Sequence, residues 1–261
     1  MSRRTQKKRK GTMAVRDNVT PEEWKTRVDL AACYRLVDFY DMSDMTGTHI
    51  AARVPGEPDA FLLNPHGMFF NEMTASSLIK VNFDGEQLTK NTDYAVNPAG
   101  FTIHSAVLDG RKDVFCSLHT HTRAGMGVSA MECGLLPMTQ HSMRFYECTS
   151  YHDYEGVATN LDERERLQRD LGENDALILR NHGLLTCGRT IPEAFHMMFR
   201  LEKSCQAQVD AMSTGAELQL VPKEVAEHTR NQMTSRGGSF GAMGWPGHLR
   251  RLDRIDPSYK H

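Results

Sequence analysis

The sequence predicts an α/β domain whose largely antiparallel sheet is flanked by helices. Two short apolar runs, residues 114–118 and 176–179, have the length and composition of strands buried on both faces. Segments with helical spacing precede, separate and follow them. Gly-, Pro- and Asn-based turns punctuate residues 24–212, so strands and helices mix within one layered unit.

The elements follow in order. Thr20-Pro21-Glu22-Glu23 reads as a capped helix start with Pro at the first helical position. Leu30, Cys33, Tyr34, Val37 and Tyr40 then recur at helical spacing. Residues 48–54 and 60–64 are strand-like and are separated by Pro55-Gly56-Glu57-Pro58. Asn64-Pro65-His66-Gly67 is a turn. Thr74 is placed to cap a helical turn before residues 78–83, and Asp84-Gly85 is a hairpin signal. Residues 100–108 read as a helix ended near Asp109-Gly110, and residues 124–131 as a small-residue helix able to pack under the strand at 114–118. Residues 151–157 are irregular or strand. Residues 162–171 form a charged helix closed by Gly172. Asn181-His182-Gly183 is a tight turn between apolar runs, its reversal assigned to Gly183. Ile191-Pro192-Glu193 opens a long helix to about residue 212. The domain is set at 24–214, after a basic, disordered tail at 1–23. The extension, 215–261, holds a Gly/Ser-rich linker at 235–241. It ends in a short helix at 245–253 that docks on something, another subunit being one option.

Lys and Arg number 31 against 33 Asp and Glu, for a net charge of −2, which argues against nucleic acid as the main partner. No apolar run is long enough to span a membrane. The basic start lacks the apolar stretch of a secretory signal, and its charges cluster instead of lining an amphipathic face. The six cysteines show no C-x-x-C spacing, which fits reduced thiols in a cytoplasmic protein.

His119-Thr120-His121 closes the strand at 114–118. Side chains at i and i+2 of a strand share a face, so both imidazoles can aim at one point. With 12 His in the chain, that spacing alone is weak evidence. His182 adds a third imidazole in the turn after residues 176–179. If the two strands are neighbours, three imidazoles converge at one sheet edge, a ligand set that leaves coordination positions open.

Residues 27–214 resemble the class II aldolase and adducin domain family. The motifs are Thr48-His49-Ile50-Ala51-Ala52-Arg53, Leu63-Asn64-Pro65-His66-Gly67, Thr74-Ala75-Ser76-Ser77-Leu78, His119-Thr120-His121 and Leu179-Arg180-Asn181-His182-Gly183-Leu184. Asn97-Pro98-Ala99-Gly100-Phe101, Gly134-Leu135-Leu136-Pro137 and Tyr151-His152-Asp153-Tyr154 place it nearest the adducin-like branch. The resemblance implies a three-layer α/β/α domain assembled as a tetramer. It implies a divalent metal, zinc or alternatively manganese, on His119, His121 and His182. In the family's sugar-phosphate aldolases a glutamate completes that site and moves the proton; the matching position here is Gly100. Two phosphate-binding serines match Pro98 and Ala99, and a substrate-binding asparagine matches His49. Only Gly67 of that cradle is retained.

A proton donor or acceptor is then needed from elsewhere. The candidates are His49, His141 and Tyr146, with Glu132 and His152 behind them. His104 is expected to orient or pack, and Arg53 or Arg180 either to grip a substrate carboxylate or to pair with a surface acid. The reading is a metal-dependent lyase cleaving a carbon–carbon bond in a small hydroxy- or oxo-acid. The alternatives are a non-catalytic adducin-like scaffold and a decarboxylase of the same family. Animal adducin has a long basic tail that this chain lacks after His261, which leans toward the enzyme.

Overall fold

The computed structural model describes residues 15–88, 94–235 and 241–261. Seven strands form one sheet in the order β3-β2-β1-β4-β7-β6-β5. They are β1 (His49–Val54), β2 (Glu57–Leu63), β3 (Ile79–Asn82), β4 (Cys116–Thr120), β5 (Ser150–His152), β6 (Ala176–Leu179) and β7 (Gly183–Gly188). Every pairing is antiparallel except β5 with β6.

Period-2 alternation sends each strand's apolar residues to two separate cores. Ile50, Ala52, Leu62, Leu118 and Ile178 join helices α1 (Pro21–Phe39) and α5 (Ile191–Ser213) on one face. Ala51, Phe61, Leu63, Leu177 and Leu185 meet α2 (Pro98–Gly110) and α4 (Glu163–Leu171) on the other. Covering both faces makes the strands read as apolar runs without polar alternation. The fold is the expected three-layer α/β/α arrangement. The short α3 (Arg123–Ser129) packs between β7 and α5.

Thr20 caps α1 as read, its Oγ1 accepting from Glu23 N at 3.1 Å. Tyr34 on that helix reaches the sheet, where its buried hydroxyl accepts from Ile50 N (2.9 Å) and Asn64 N (3.1 Å). One side chain thus fixes the entry of β1 against the exit of β2. Glu23 is also buried, paired with Arg27 (2.8 Å) and Lys80 (2.8 Å). The ordered domain therefore starts inside the stretch read as a tail, with a 3-10 turn at Val15–Asn18 and α1 from Pro21. The rest of that tail, residues 1–14, lies outside the described residues, as do 236–240 of the linker.

Other boundaries move for identifiable reasons. β2 begins at Glu57, because Pro58 near a strand start sacrifices no ladder bond that matters. β4 starts two residues later than read, which places His119 inside the strand. α2 starts at Pro98, with Asn97 Oδ1 accepting from Ala99 N (3.0 Å) and Gly100 N (3.3 Å). Asn then Pro is a start signal that the sequence reading passed over. A helix in the extension, α6 (Lys223–Thr234), was also passed over, since Ala226 is its sole buried residue. The final helix, α7 (Trp245–Ile255), docks on α1 of its own chain, where Trp245 Nε1 donates to Asp29 Oδ1 at 3.0 Å. The chain end follows it, with Tyr259 O and His261 O accepting from Ala75 N and Ser76 N at 2.9 and 2.8 Å. Among the described residues, no helix is long and apolar enough to cross a membrane.

Candidate metal centre

His119 sits on β4, fully buried, opposite Leu185 of β7 and His49 of β1. His121 follows just beyond the strand end. Thr122 then caps α3, its Oγ1 accepting from Gly125 N at 3.2 Å. His182 occupies the turn between β6 and β7. The reversal itself is made by Asn181, at φ 54°, not by the glycine. Gly183 serves a different need: a Cβ there would lie 2.4 Å from Thr120 O and 3.1 Å from the His121 ring. Its missing side chain lets the hairpin approach the end of β4 and brings His182 to the other two.

The three Nε2 atoms converge. His119 and His121 are 2.8 Å apart and His121 and His182 are 2.9 Å apart through these atoms. One ligand atom from each of the three residues lies within 4.8 Å of the others. The far nitrogens fix the protonation. His119 Nδ1 lies 2.9 Å from Leu184 O, and His121 Nδ1 lies 3.0 Å from Asp44 Oδ2. A carbonyl and a carboxylate only accept, so each Nδ1 carries a proton, and in the neutral ring that leaves the lone pair on Nε2. Two lone pairs facing each other at 2.8 Å repel unless a cation lies between or beside them. Burial and neighbouring imidazoles push His119 well below the usual histidine range and His182 down to about 4. Neutral nitrogens with anchored far sides are the donor set that a divalent ion takes.

His49 and His104 lie next to this trio. His49 Nδ1 is 2.8 Å from His104 Nε2, and His104 Nδ1 is 2.9 Å from Ser117 Oγ. The His49 ring stands 4.9 Å from that of His119, centroid to centroid. A Cβ on Gly100 would be 2.9 Å from His49 Cγ. The imidazole of His49 therefore fills the space that a side chain at position 100 would need. Burial pushes His49 well down and His104 to about 3.

The positions that the resemblance matches to a phosphate cradle are taken up by contacts within the chain. Asn97 takes the free N–H groups of Ala99 and Gly100, and Pro98 has none. The Tyr94 ring covers Gly67, 3.3 Å from where its Cβ would be.

The remaining candidates make no hydrogen bond to the trio among the described residues, although His152 is near enough to lower His182 electrostatically. His141 stacks its ring nitrogens 2.8 and 3.2 Å from Arg200 Nη1, in a groove of about 820 Å³ under α6. Tyr146 lines a smaller recess beside Leu135, Pro137 and Tyr151. His152 is buried between Asp170 (2.7 Å) and Glu163 (3.4 Å). Glu132 is exposed in the turn after α3. Arg53 is four residues along β1 from His49, about 13 Å away, and donates to Val114 O, Leu108 O and Arg111 O. Arg180 donates to Met131 O at 2.7 Å and lies over the Tyr151 ring. Both guanidiniums are engaged by main-chain carbonyls. Sequence reasoning missed Asp44, whose role depends on a loop conformation, and Ser117, an ordinary strand residue. Tyr154, its ring 6.3 Å from that of His182, was noted only as part of a motif.

Comparison with known proteins follows the same lines. The Class II Aldolase and Adducin N-terminal domain matches residues 28–209. A Pseudomonas aeruginosa protein provisionally named an aldolase class 2 protein is 51% identical over 94% of this chain and 96% of its own. Rat alpha-adducin is 40% identical over 83% of this chain but only 30% of its own length. Among solved structures, an aldolase II superfamily protein from Pseudomonas syringae superposes with TM-score 0.91 at 44% identity, covering 95% of this chain and 99% of that one. L-fuculose 1-phosphate aldolase from Glaciozyma antarctica gives 0.82 at 28% identity, covering 92% and 93%. The chain therefore belongs to the class II aldolase and adducin family.

Proposed function

We propose that the protein is a metal-dependent lyase that cleaves a carbon–carbon bond in a small, unphosphorylated hydroxy- or oxo-acid. The observation that carries the reading is the anchoring of the His119 and His121 far nitrogens, which turns their lone pairs toward one point shared with His182. His119, His121 and His182 would hold a divalent ion, zinc first and manganese second, which would supply Lewis-acid polarisation of a substrate carbonyl. His49 brings a further polar group beside the trio, its ring 4.9 Å from that of His119. Tyr154 stands at its open side, 54% exposed.

The neighbour from Glaciozyma antarctica acts, by its name, on a sugar phosphate. Here Pro98, Ala99, Asn97 and Tyr94 leave no free cradle of that kind. The reading therefore places this chain with unphosphorylated acids. It also takes the working form to be a cytoplasmic homotetramer. Decarboxylation would use the same centre and differs in releasing CO₂. A scaffold role is the second reading, favoured by the 40% identity to alpha-adducin.

A screen of small oxo- and hydroxy-acids with zinc or manganese, read as aldehyde or CO₂ release, tests the proposal. Turnover abolished by chelator and restored by metal is expected. Efficient cleavage of a ketose or aldose phosphate would contradict the substrate assignment.

A further inference from the structure

Ser117 on β4, His104 on α2 and His49 on β1 form a chain of buried polar side chains, each at most 1% exposed. Counting donors gives the chain a direction. Among the described residues, Ser117 Oγ has one hydrogen-bond partner, His104 Nδ1 at 2.9 Å. A sealed hydroxyl with one partner satisfies its proton only by donating, and leaving that proton unbonded costs about 1–3 kcal/mol. His104 Nδ1 therefore accepts. A neutral imidazole that accepts at Nδ1 carries its proton on Nε2. That Nε2–H donates across 2.8 Å to His49 Nδ1. His49 in turn accepts at Nδ1 and bears its own proton on Nε2.

The far side of the His49 ring is free to use that proton. Nε2 of His49 makes no hydrogen bond among the described residues, yet it is not one of the sealed polar atoms left without a partner. The ring lies 4.9 Å from that of His119, and His121 and His182 also act on it electrostatically, so the ring stands beside the three-nitrogen centre. Gly100 keeps the arrangement in place, since any side chain there would push the ring aside.

We propose that the one-way chain from Ser117 through His104 presents His49 to the substrate as an Nε2–H donor. His104 and Ser117 are positioning residues that hold its tautomer. This deepens the lyase reading and rests on it for the identity of the acceptor, a substrate oxygen that gains negative charge in bond cleavage. No proton changes owner: the hydrogen bond strengthens as charge develops. The same tautomer has no lone pair on Nε2, so His49 does not serve as the base.

Long-range ¹H–¹⁵N correlation spectra of zinc-loaded protein carrying ¹⁵N-histidine read each ring directly, with assignment by His49→Asn and His104→Gln. Both rings should show an unprotonated Nδ1 and a protonated Nε2. A protonated Nδ1 on His49 would overturn the proposal. In Ser117→Ala the His49 signals should shift toward the other tautomer. There kcat should fall roughly ten- to a hundredfold, with KM and zinc content held within about twofold. An unchanged tautomer with unchanged kcat would also overturn it. If Ser117→Ala does not fold, the wild-type spectrum decides. Zinc content is read on the same samples. Protein without zinc counts against the lyase reading alone and leaves the tautomer result standing.

Discussion

Two histidine clusters share one end of the sheet, and their contacts look alike. His119 and His121 approach at 2.8 Å, and so do His49 and His104. The chemistry of the two is opposite. In the first pair, Leu184 O and Asp44 hold the protons on the far nitrogens, so two lone pairs meet. In the second, the far side of His104 meets a hydroxyl that can donate, so a proton sits between the rings. The first arrangement calls for a cation; the second is complete in itself. What faces the distant nitrogen, and not the ring-to-ring distance, decides which is which.

The largest expected effect comes from removing a member of the first cluster. His182→Ala lies in a turn and should leave the fold intact by circular dichroism. It should abolish the bound metal and lower turnover by at least a thousandfold, on the order of what loss of a main electrostatic stabiliser costs.

The second cluster should instead be felt as stability. Burial holds His104 at about 3 in the folded chain, against 6.5 unfolded. The unfolded state thus binds the extra proton first as pH falls. Stability should decline from about pH 6.5 down to about pH 3, by on the order of a few kcal/mol. Denaturant melts at several pH values check this; a shallower profile in His104→Gln would assign part of the slope to that ring, the remainder belonging to His49, His119 and His182, which burial also lowers.

Gly100→Glu sharpens the contrast further. Its Cβ would sit 2.9 Å from His49 Cγ, so a loss of about 1–3 kcal/mol is expected from overpacking. Most of it should return in the double variant with His49→Asn, measured by thermal unfolding. Last, Asp44→Asn weakens the anchor of His121 without removing a ligand, and zinc affinity should drop about ten- to a hundredfold by competition with a chelating dye.

Much of this was legible in the sequence. β6 was read at its observed residues, because a run of four apolar residues bounded by Asp175 and Arg180 leaves little choice. α4 was read within one residue, since Gly172 ends it at φ 54°. His119, His121 and His182 were named together, although only the close passage of Gly183 against the end of β4, where a Cβ would strike Thr120 O, shows why they meet. What stayed hidden depends on partners distant in sequence. Asp44 and Ser117 acquire their roles from side chains 77 and 13 residues away. Arg53 was offered to a substrate because nothing local reveals that three carbonyls from residues 108–114 would take it. α6 was missed because a helix with one buried residue leaves almost no apolar period to read.

The most direct test is the metal content of protein purified without chelator. One divalent ion per chain in the wild type, absent from folded His119→Ala and His182→Ala, is the predicted result. Less than about a tenth of an equivalent in the wild type, with no uptake on addition of zinc or manganese, would contradict a centre built from these three imidazoles.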